Sequence, residues 1–254
     1  MAWTFAEKGD PVQIHTQQPT QEQLTVVDPL TNETTALQFL SPYTAHKTLG
    51  HYKEPAGSQR EQYRKLKAKS DSTTDFLWRC TLSPVEAWTF YFACYLPSIG
   101  YPLVCSSLTH AQLDQVQRKA MSIIIPKCGY NGHTKQEIVY GPMKYGGANF
   151  RHLYMQQGVS QVTTFMRHWR QQLVPGNLLQ SAVAWHQLSL GTLYLFLSRV
   201  HDHLPHFESV WLASMQKFLA KINATIDPGI PLKQRQGDKY IMDMIMESKQ
   251  FTNA

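Results

Sequence analysis

The sequence predicts a mainly α-helical protein, a helical bundle preceded by a short β-strand segment. Three observations lead there. From Ser58 onward apolar residues recur at helical spacing. Capping signals, a Ser or Thr followed three residues later by Glu or Gln, open one segment after another. Residues 1–56 differ from the rest: they carry Pro11, Pro19, Pro29, Pro42 and Pro55, many Thr and Gln, and only short apolar bursts.

Leu24-Thr25-Val26-Val27 and Ala36-Leu37-Gln38-Phe39-Leu40 read as two strands, with Asp28-Pro29 and Thr31-Asn32 supplying the turn between them. Such a fragment buries too little to stand alone. Ser58 with Glu61 opens a polar helix to about Lys69. Ser83, Pro84 and Glu86 open a second, through Trp88, Tyr91 and Phe92 to about Tyr95, where Pro97 ends it. Thr109 with Gln112 begins a third, whose Leu113, Val116, Gln117 and Ala120 keep helical spacing until Pro126. Thr134 with Glu137 begins a short helix that Gly141-Pro142 stops. A longer helix spans Phe150 to Gln172, closed by Pro175-Gly176, and apolar-periodic segments follow near 177–188, 192–200, 208–222 and 238–247. Three regions result: 1–56, 57–175 and 176–254. Trp78, Trp88, Tyr91, Phe92 and Tyr95 recur at helical spacing and are expected in the core, and Met242, Met244 and Met246 read as packing residues.

The chain has 254 residues and is 43% hydrophobic, in the globular range, with a formal net charge of +6. That charge favours a polyanionic partner, nucleic acid before membrane. Cys80, Cys94, Cys105 and Cys128 form no C-x-x-C pair, which gives no support to a zinc ribbon or a thioredoxin-like motif. No basic and apolar leader follows Met1, and no apolar run is long enough to span a bilayer. Reduced thiols in an intracellular protein with no membrane partner are expected. His201, His203 and His206 stand in HDHLPH, but His201 and His203 do not share a helix face and Leu204-Pro205 signals a turn, so no metal is expected there. No P-loop, nucleophile-elbow or zincin pattern occurs.

In order, the chain reads HKTLGHYKEPAG, YLPSIGYPL, IVYGP and KYGGANFRHLYMQQG. Tyr43 to Gly50 resembles the strand whose Leu-Gly ends the palm and builds the primer grip in reverse transcriptases of non-LTR (LINE-type) retroelements. Trp3-Thr4-Phe5 with Gly9-Asp10-Pro11 is similar to the end of that palm. Tyr95-Leu96-Pro97 and Tyr101-Pro102-Leu103 resemble the thumb signature, and Val139-Tyr140-Gly141-Pro142, Gly146-Gly147, Phe150 and Leu153 the signature just beyond it. Each motif alone is weak; their order and spacing carry the resemblance, over roughly residues 1 to 172. The Cys/His-rich zinc segment that family members often carry near the C-terminus is absent from this sequence.

The resemblance implies a thumb-like helical bundle that grips RNA, DNA or an RNA–DNA duplex. It also implies an RNA-directed DNA polymerase whose chemistry lies elsewhere. That chemistry uses paired aspartates holding Mg²⁺, and no Asp-Asp dipeptide occurs here. The aspartates would lie upstream of Met1 or in a separate palm segment, so no catalytic or metal-binding residue and no cofactor is assigned to this chain. Arg60, Arg64 and Lys67 fall at i, i+4 and i+7, with Lys65 between them, and would lie along phosphates; alternatively they form a solvated face with Glu61 pairing to Lys65. His46, Lys47 and Thr48 would meet the primer backbone, or serve as an edge strand with a protective lysine. Lys127, Tyr130 and Lys135, with Asn131 and Lys144, crowd a glycine-rich stretch suited to backbone contact and stacking, or to tight turns between packed helices. The rival from a different class is a helical protein-interaction module with no nucleic-acid role.

Overall fold

The structure, a computed structural model, describes residues 2–4, 13–15, 25–27, 32, 34–36, 41–171, 173–192, 194–202, 204 and 209–227. Phe5, Gly9-Asp10-Pro11, His203, His206 and the segment 238–247 with its methionines lie outside them. The protein is mainly helical with short antiparallel strands, as its sequence predicts. It divides into two compact units, residues 1–61 and 62–254.

The first unit contains three separate two-stranded antiparallel ladders. Strand β1 (Ala2–Thr4) pairs with β2 (Gln13–His15), and β3 (Thr25–Val27) with β4 (Thr34–Ala36). The third ladder joins β5 (His46–Thr48) to β6 (His51–Lys53), with Thr48 opposite His51. Its two-residue loop places Leu49 at φ 48° and Gly50 at φ 84°, the left-handed pair whose twist matches that of the flanking strands. Leucine is an unusual choice there, because a Cβ in this conformation crowds the following carbonyl.

The second unit is built on helices. Helix α1 (Arg60–Arg79) buries Gln62, Leu66, Ser70, Thr74 and Leu77. It runs well past Lys69, where the polar sequence suggested an end. The hydroxyls of Thr73 and Thr74 donate to the carbonyls of Lys69 and Ser70 one turn back, so side chains that would otherwise compete with the helix are satisfied within it, and Leu77 anchors the last turn in the core.

Helix α2 (Pro84–Phe90) carries the expected capping box: Ser83 Oγ accepts from the Glu86 amide, and the Glu86 carboxylate accepts from the Ser83 amide. Pro97 does not end the helical path. A π-turn (Tyr91–Tyr95) leads into α3 (Leu96–Gly100) and then a 3₁₀ turn (Tyr101–Cys105). In the wide turn the Leu96 amide reaches back to the Tyr91 carbonyl, which makes room for a proline ring that would clash with a normally wound preceding turn.

Helix α4 (His110–Lys127) starts from the expected Thr109–Gln112 capping box. The short α5 (Gln136–Tyr140) follows, then α6 (Leu153–Arg170), α7 (Val174–Leu190) and α8 (Val210–Lys221). Pro175 sits in the first turn of α7, where a missing N–H costs nothing, so it opens that helix instead of closing α6. The segment near 192–200 is a series of turns, not a helix; it still buries Leu195, Phe196, Leu197 and Val200.

Helix α6 is the hub, packing on α4, α7, α8 and the 3₁₀ turn. Buried glutamines stitch it to its neighbours. Gln117 on α4 donates to the Arg151 carbonyl and accepts from the Leu153 amide, satisfying a group that α6 leaves unpaired at its start. Gln157 on α6 holds both the N–H and the carbonyl of Leu108. Gly158 lies against Phe218 of α8, and a Cβ there would fall 2.1 Å from the ring.

Candidate nucleic-acid interface

Helix α1 carries the densest basic cluster. At about 100° per residue, Arg60, Arg64 and Lys67 fall within an arc of roughly 60°, beside the stripe formed by Gln62, Leu66, Ser70, Thr74 and Leu77, and all three are exposed. Lys65 is also exposed but points roughly 160° away from Lys67, so it does not belong to that face. Three polar ties hold the helix in place. Ser70 Oγ donates to the Val116 carbonyl at 2.7 Å and lies 3.0 Å from the Tyr95 hydroxyl. Lys69 Nζ donates to the Ser98 carbonyl and the Tyr63 hydroxyl to Gln115 Oε1. Because the single Ser70 proton goes to Val116, the Tyr95 hydroxyl is the donor to Ser70. A rigidly seated helix with three cations on its exposed side can lie along a polyanion without ordering itself first.

Farther along, the same side carries Asp71 and Asp75. Lys119 of α4 pairs with Asp75 at 2.8 Å, and that hydrogen bond lifts the lysine above its usual range. Beyond them Trp78 is 73% exposed. The helical spacing that grouped Trp78 with the aromatics at 88–95 runs across the break between α1 and α2, so it fixes no common face. Tyr91 and Tyr95 are fully buried, and Trp88 and Phe92 are half-buried with rings 4.4 Å apart.

The other expected contacts are dispersed. His46, Lys47 and Thr48 form β5 in the first unit, with Lys47 and Thr48 exposed and His46 half-buried. Lys127 donates its ammonium to the Cys80 carbonyl just after α1, so its charge ties two helix ends together. Tyr130 packs its ring against Phe150, centroids 6.4 Å apart. Lys135 is exposed at the start of α5. The GPMKYGGANF stretch folds back onto α5: the amides of Ala148, Asn149 and Phe150 donate to the carbonyls of Ile138, Gly141 and Val139. A side chain on Gly147 would meet the Gly141 carbonyl at 2.1 Å, so glycine there is set by backbone approaching backbone.

His110, Asp114 and His152 form a grouping that no sequence motif announces. Asp114 Oδ2 lies 3.2 Å from His110 Nδ1, and Asp114 Oδ1 lies 2.6 Å from His152 Nε2. The two imidazoles are stacked, with centroids 4.9 Å apart and planes within 8°. Burial pulls His152 below its ordinary value, and the bond to Asp114 opposes that pull. Asp114 and His152 line a cleft of about 270 Å³ that also includes Arg118, Thr134, Gln136 and Tyr140. The i, i+4 spacing in HAQLD is the available signal; the third member comes from 38 residues further along, which spacing does not reveal. No helix among the described residues is long and apolar enough to cross a membrane. Comparison with protein-family models, with curated proteins and with solved structures found no match.

Proposed function

We propose that this chain is the primer-grip, thumb and post-thumb region of a non-LTR reverse transcriptase, gripping RNA–DNA or RNA duplex through the phosphate backbone. The observation that supports it most is the exposed Arg60–Arg64–Lys67 face on a helix whose adjoining stripe is buried and hydrogen-bonded. Cations so placed release counterions from a duplex without reading bases, giving sequence-tolerant and salt-dependent affinity. The order of the Leu-Gly, Leu-Pro, Gly-Pro and Gly-Gly motifs adds the family reading, and the polymerase chemistry belongs to a palm carrying its own aspartates and Mg²⁺.

The test is fluorescence anisotropy of a labelled RNA–DNA hybrid across a salt series. Binding is expected to weaken steadily as salt rises. Replacing Arg60, Arg64 and Lys67 together by glutamate should make the slope of log K against log salt shallower by about three, near one for each phosphate no longer neutralised. Binding that ignores both salt and these residues refutes the proposal.

A second reading, a protein-interaction module, has its own support on α7. Val174, Leu178, Trp185 and Leu188 are between 51% and 71% exposed, and their spacing sets them along one side of the helix. Exposed apolar stripes of this kind mark association surfaces. Sedimentation with and without added hybrid separates the two: concentration-dependent self-association abolished by Leu178→Glu, with no hybrid binding, favours the module.

A further inference from the structure

His110, Asp114 and His152 offer one ligand atom each, all within 4.8 Å of one another. His110 and Asp114 stand one turn apart on α4, and His152 arrives as the N-cap of α6. We propose that these three side chains bind one divalent cation of the zinc class, in an open site whose remaining position faces the cleft lined by Thr134, Gln136 and Tyr140.

Two imidazoles and one carboxylate form a donor set that suits Zn²⁺ and its transition-metal neighbours. Mg²⁺ and Ca²⁺ prefer oxygen throughout and are a poor match. Donors about 2.0–2.2 Å from a tetrahedral ion stand roughly 3.3 Å from each other. The His110–Asp114 separation of 3.2 Å is close to that, and the Asp114–His152 separation of 2.6 Å needs to open only slightly. Hydrogen bonding alone accounts for part of this arrangement but not for all three members. Capping α6 needs His152, and orienting His152 needs one oxygen of Asp114. His110 is exposed, and neither task requires it, yet its ring is held parallel to that of His152 on the same carboxylate.

The cap itself provides a signature. The Tyr154 amide donates to His152 Nδ1 at 3.1 Å, so in the metal-free protein the ring proton is on Nε2, facing Asp114. A cation on Nε2 drives that proton to Nδ1, where it opposes the Tyr154 N–H and breaks the cap. One neutral hydrogen bond is exchanged for three coordinate bonds, which favours the metal. The N-terminal ends of α4 and α6 set positive partial charge nearby, and the site is open, so affinity on the order of micromolar is expected, well below that of a closed structural zinc site.

The test uses the full chain with its thiols kept reduced, titrated with ZnCl₂ by calorimetry and with Co²⁺ by absorbance. One equivalent should bind, with Co²⁺ d–d bands but no thiolate charge-transfer band. His110→Ala, on an exposed position and with unchanged circular dichroism, should weaken binding at least tenfold, as should Asp114→Asn; His201→Ala should not. Hydrogen exchange at the Tyr154 amide should speed up when zinc is added. Affinity no better than millimolar, binding undiminished in His110→Ala, or thiolate bands in the Co²⁺ spectrum would each overturn the proposal.

Discussion

Replacing Gly158 by alanine pits two known effects against each other at one site. In an open helix interior the change is stabilising, because glycine there is less favourable than alanine by about 1 kcal/mol. In α6 the added methyl would stand 2.1 Å from Phe218 Cδ2, 2.2 Å from Cγ and 2.4 Å from Cε2. Carbon atoms in contact prefer roughly 3.5–4.0 Å, so ring and helix must separate by about 1.5 Å. Phe218 is 2% exposed and packed from α8, which leaves it no free space to enter. Overpacking of this severity costs about 1–3 kcal/mol or more, with the propensity gain already opposing it, so the net expectation is destabilisation of about 1–2 kcal/mol. The assay is urea unfolding followed by circular dichroism at 222 nm. Phe218→Leu alone should also destabilise, but combined with Gly158→Ala it should recover part of the loss, a non-additivity expected of groups in contact. If Gly158→Ala raises the unfolding midpoint, the close packing of α6 on α8 is wrong.

Burial raises the Tyr95 hydroxyl to about 12 and moves Tyr91 in the same direction. Unfolded tyrosine ionises near 10, so between those values the unfolded chain sheds protons the folded one keeps, and stability falls as pH rises; Tyr95 alone should remove about 3 kcal/mol by pH 12. Absorbance at 295 nm should therefore show a buried fraction ionising only as helicity is lost, and complete titration near pH 10 with helices intact would contradict the packing. Ser70→Ala strands the Tyr95 hydroxyl and the Val116 carbonyl and should cost about 1–3 kcal/mol in the same urea assay; a neutral result would mean those groups find other partners. Burial pushes the Cys128 thiol up to about 11. At pH 8 its alkylation should be about tenfold slower folded than in urea, after its greater intrinsic nucleophilicity is allowed for, and peptide mass spectrometry showing equal rates would refute this.

The parts of the fold legible in the sequence are those governed by short-range rules. The Ser83–Glu86 and Thr109–Gln112 boxes announce their helices because both partners lie within one turn. The far end of α1 was not legible. Nothing near Lys69 shows that Thr73 and Thr74 bond backward or that Leu77 finds a core contributed by later helices. Pro97 and Pro175 misled for one reason: proline's local rule depends on the winding and on the helix position it occupies, and both are fixed by tertiary packing. On the candidate interface, the i, i+4, i+7 spacing of Arg60, Arg64 and Lys67 located the face correctly on α1. The separate orientation of Lys65, the exposure of Trp78 and the engagement of Lys127 with Cys80 depend on where the helix is seated. The His110–Asp114–His152 grouping needed the start of α6 to arrive beside the start of α4.

The π-turn at Tyr91–Tyr95 also sets how this chain tolerates changes in length. It holds one more residue than an α-helical turn would, so the two halves of the rod are out of phase: α2 addresses α4, while α3 and the 3₁₀ turn address α6. Deleting any one residue from the turn would restore ordinary winding and rotate everything beyond it by roughly 100°, carrying Ile99 and Leu103, both fully buried, off their partners. Substitutions in this stretch change a side chain, whereas a single-codon deletion turns half a helix away from the hub, and selection acting on the coding sequence should remove frame-preserving gaps there sooner than point changes.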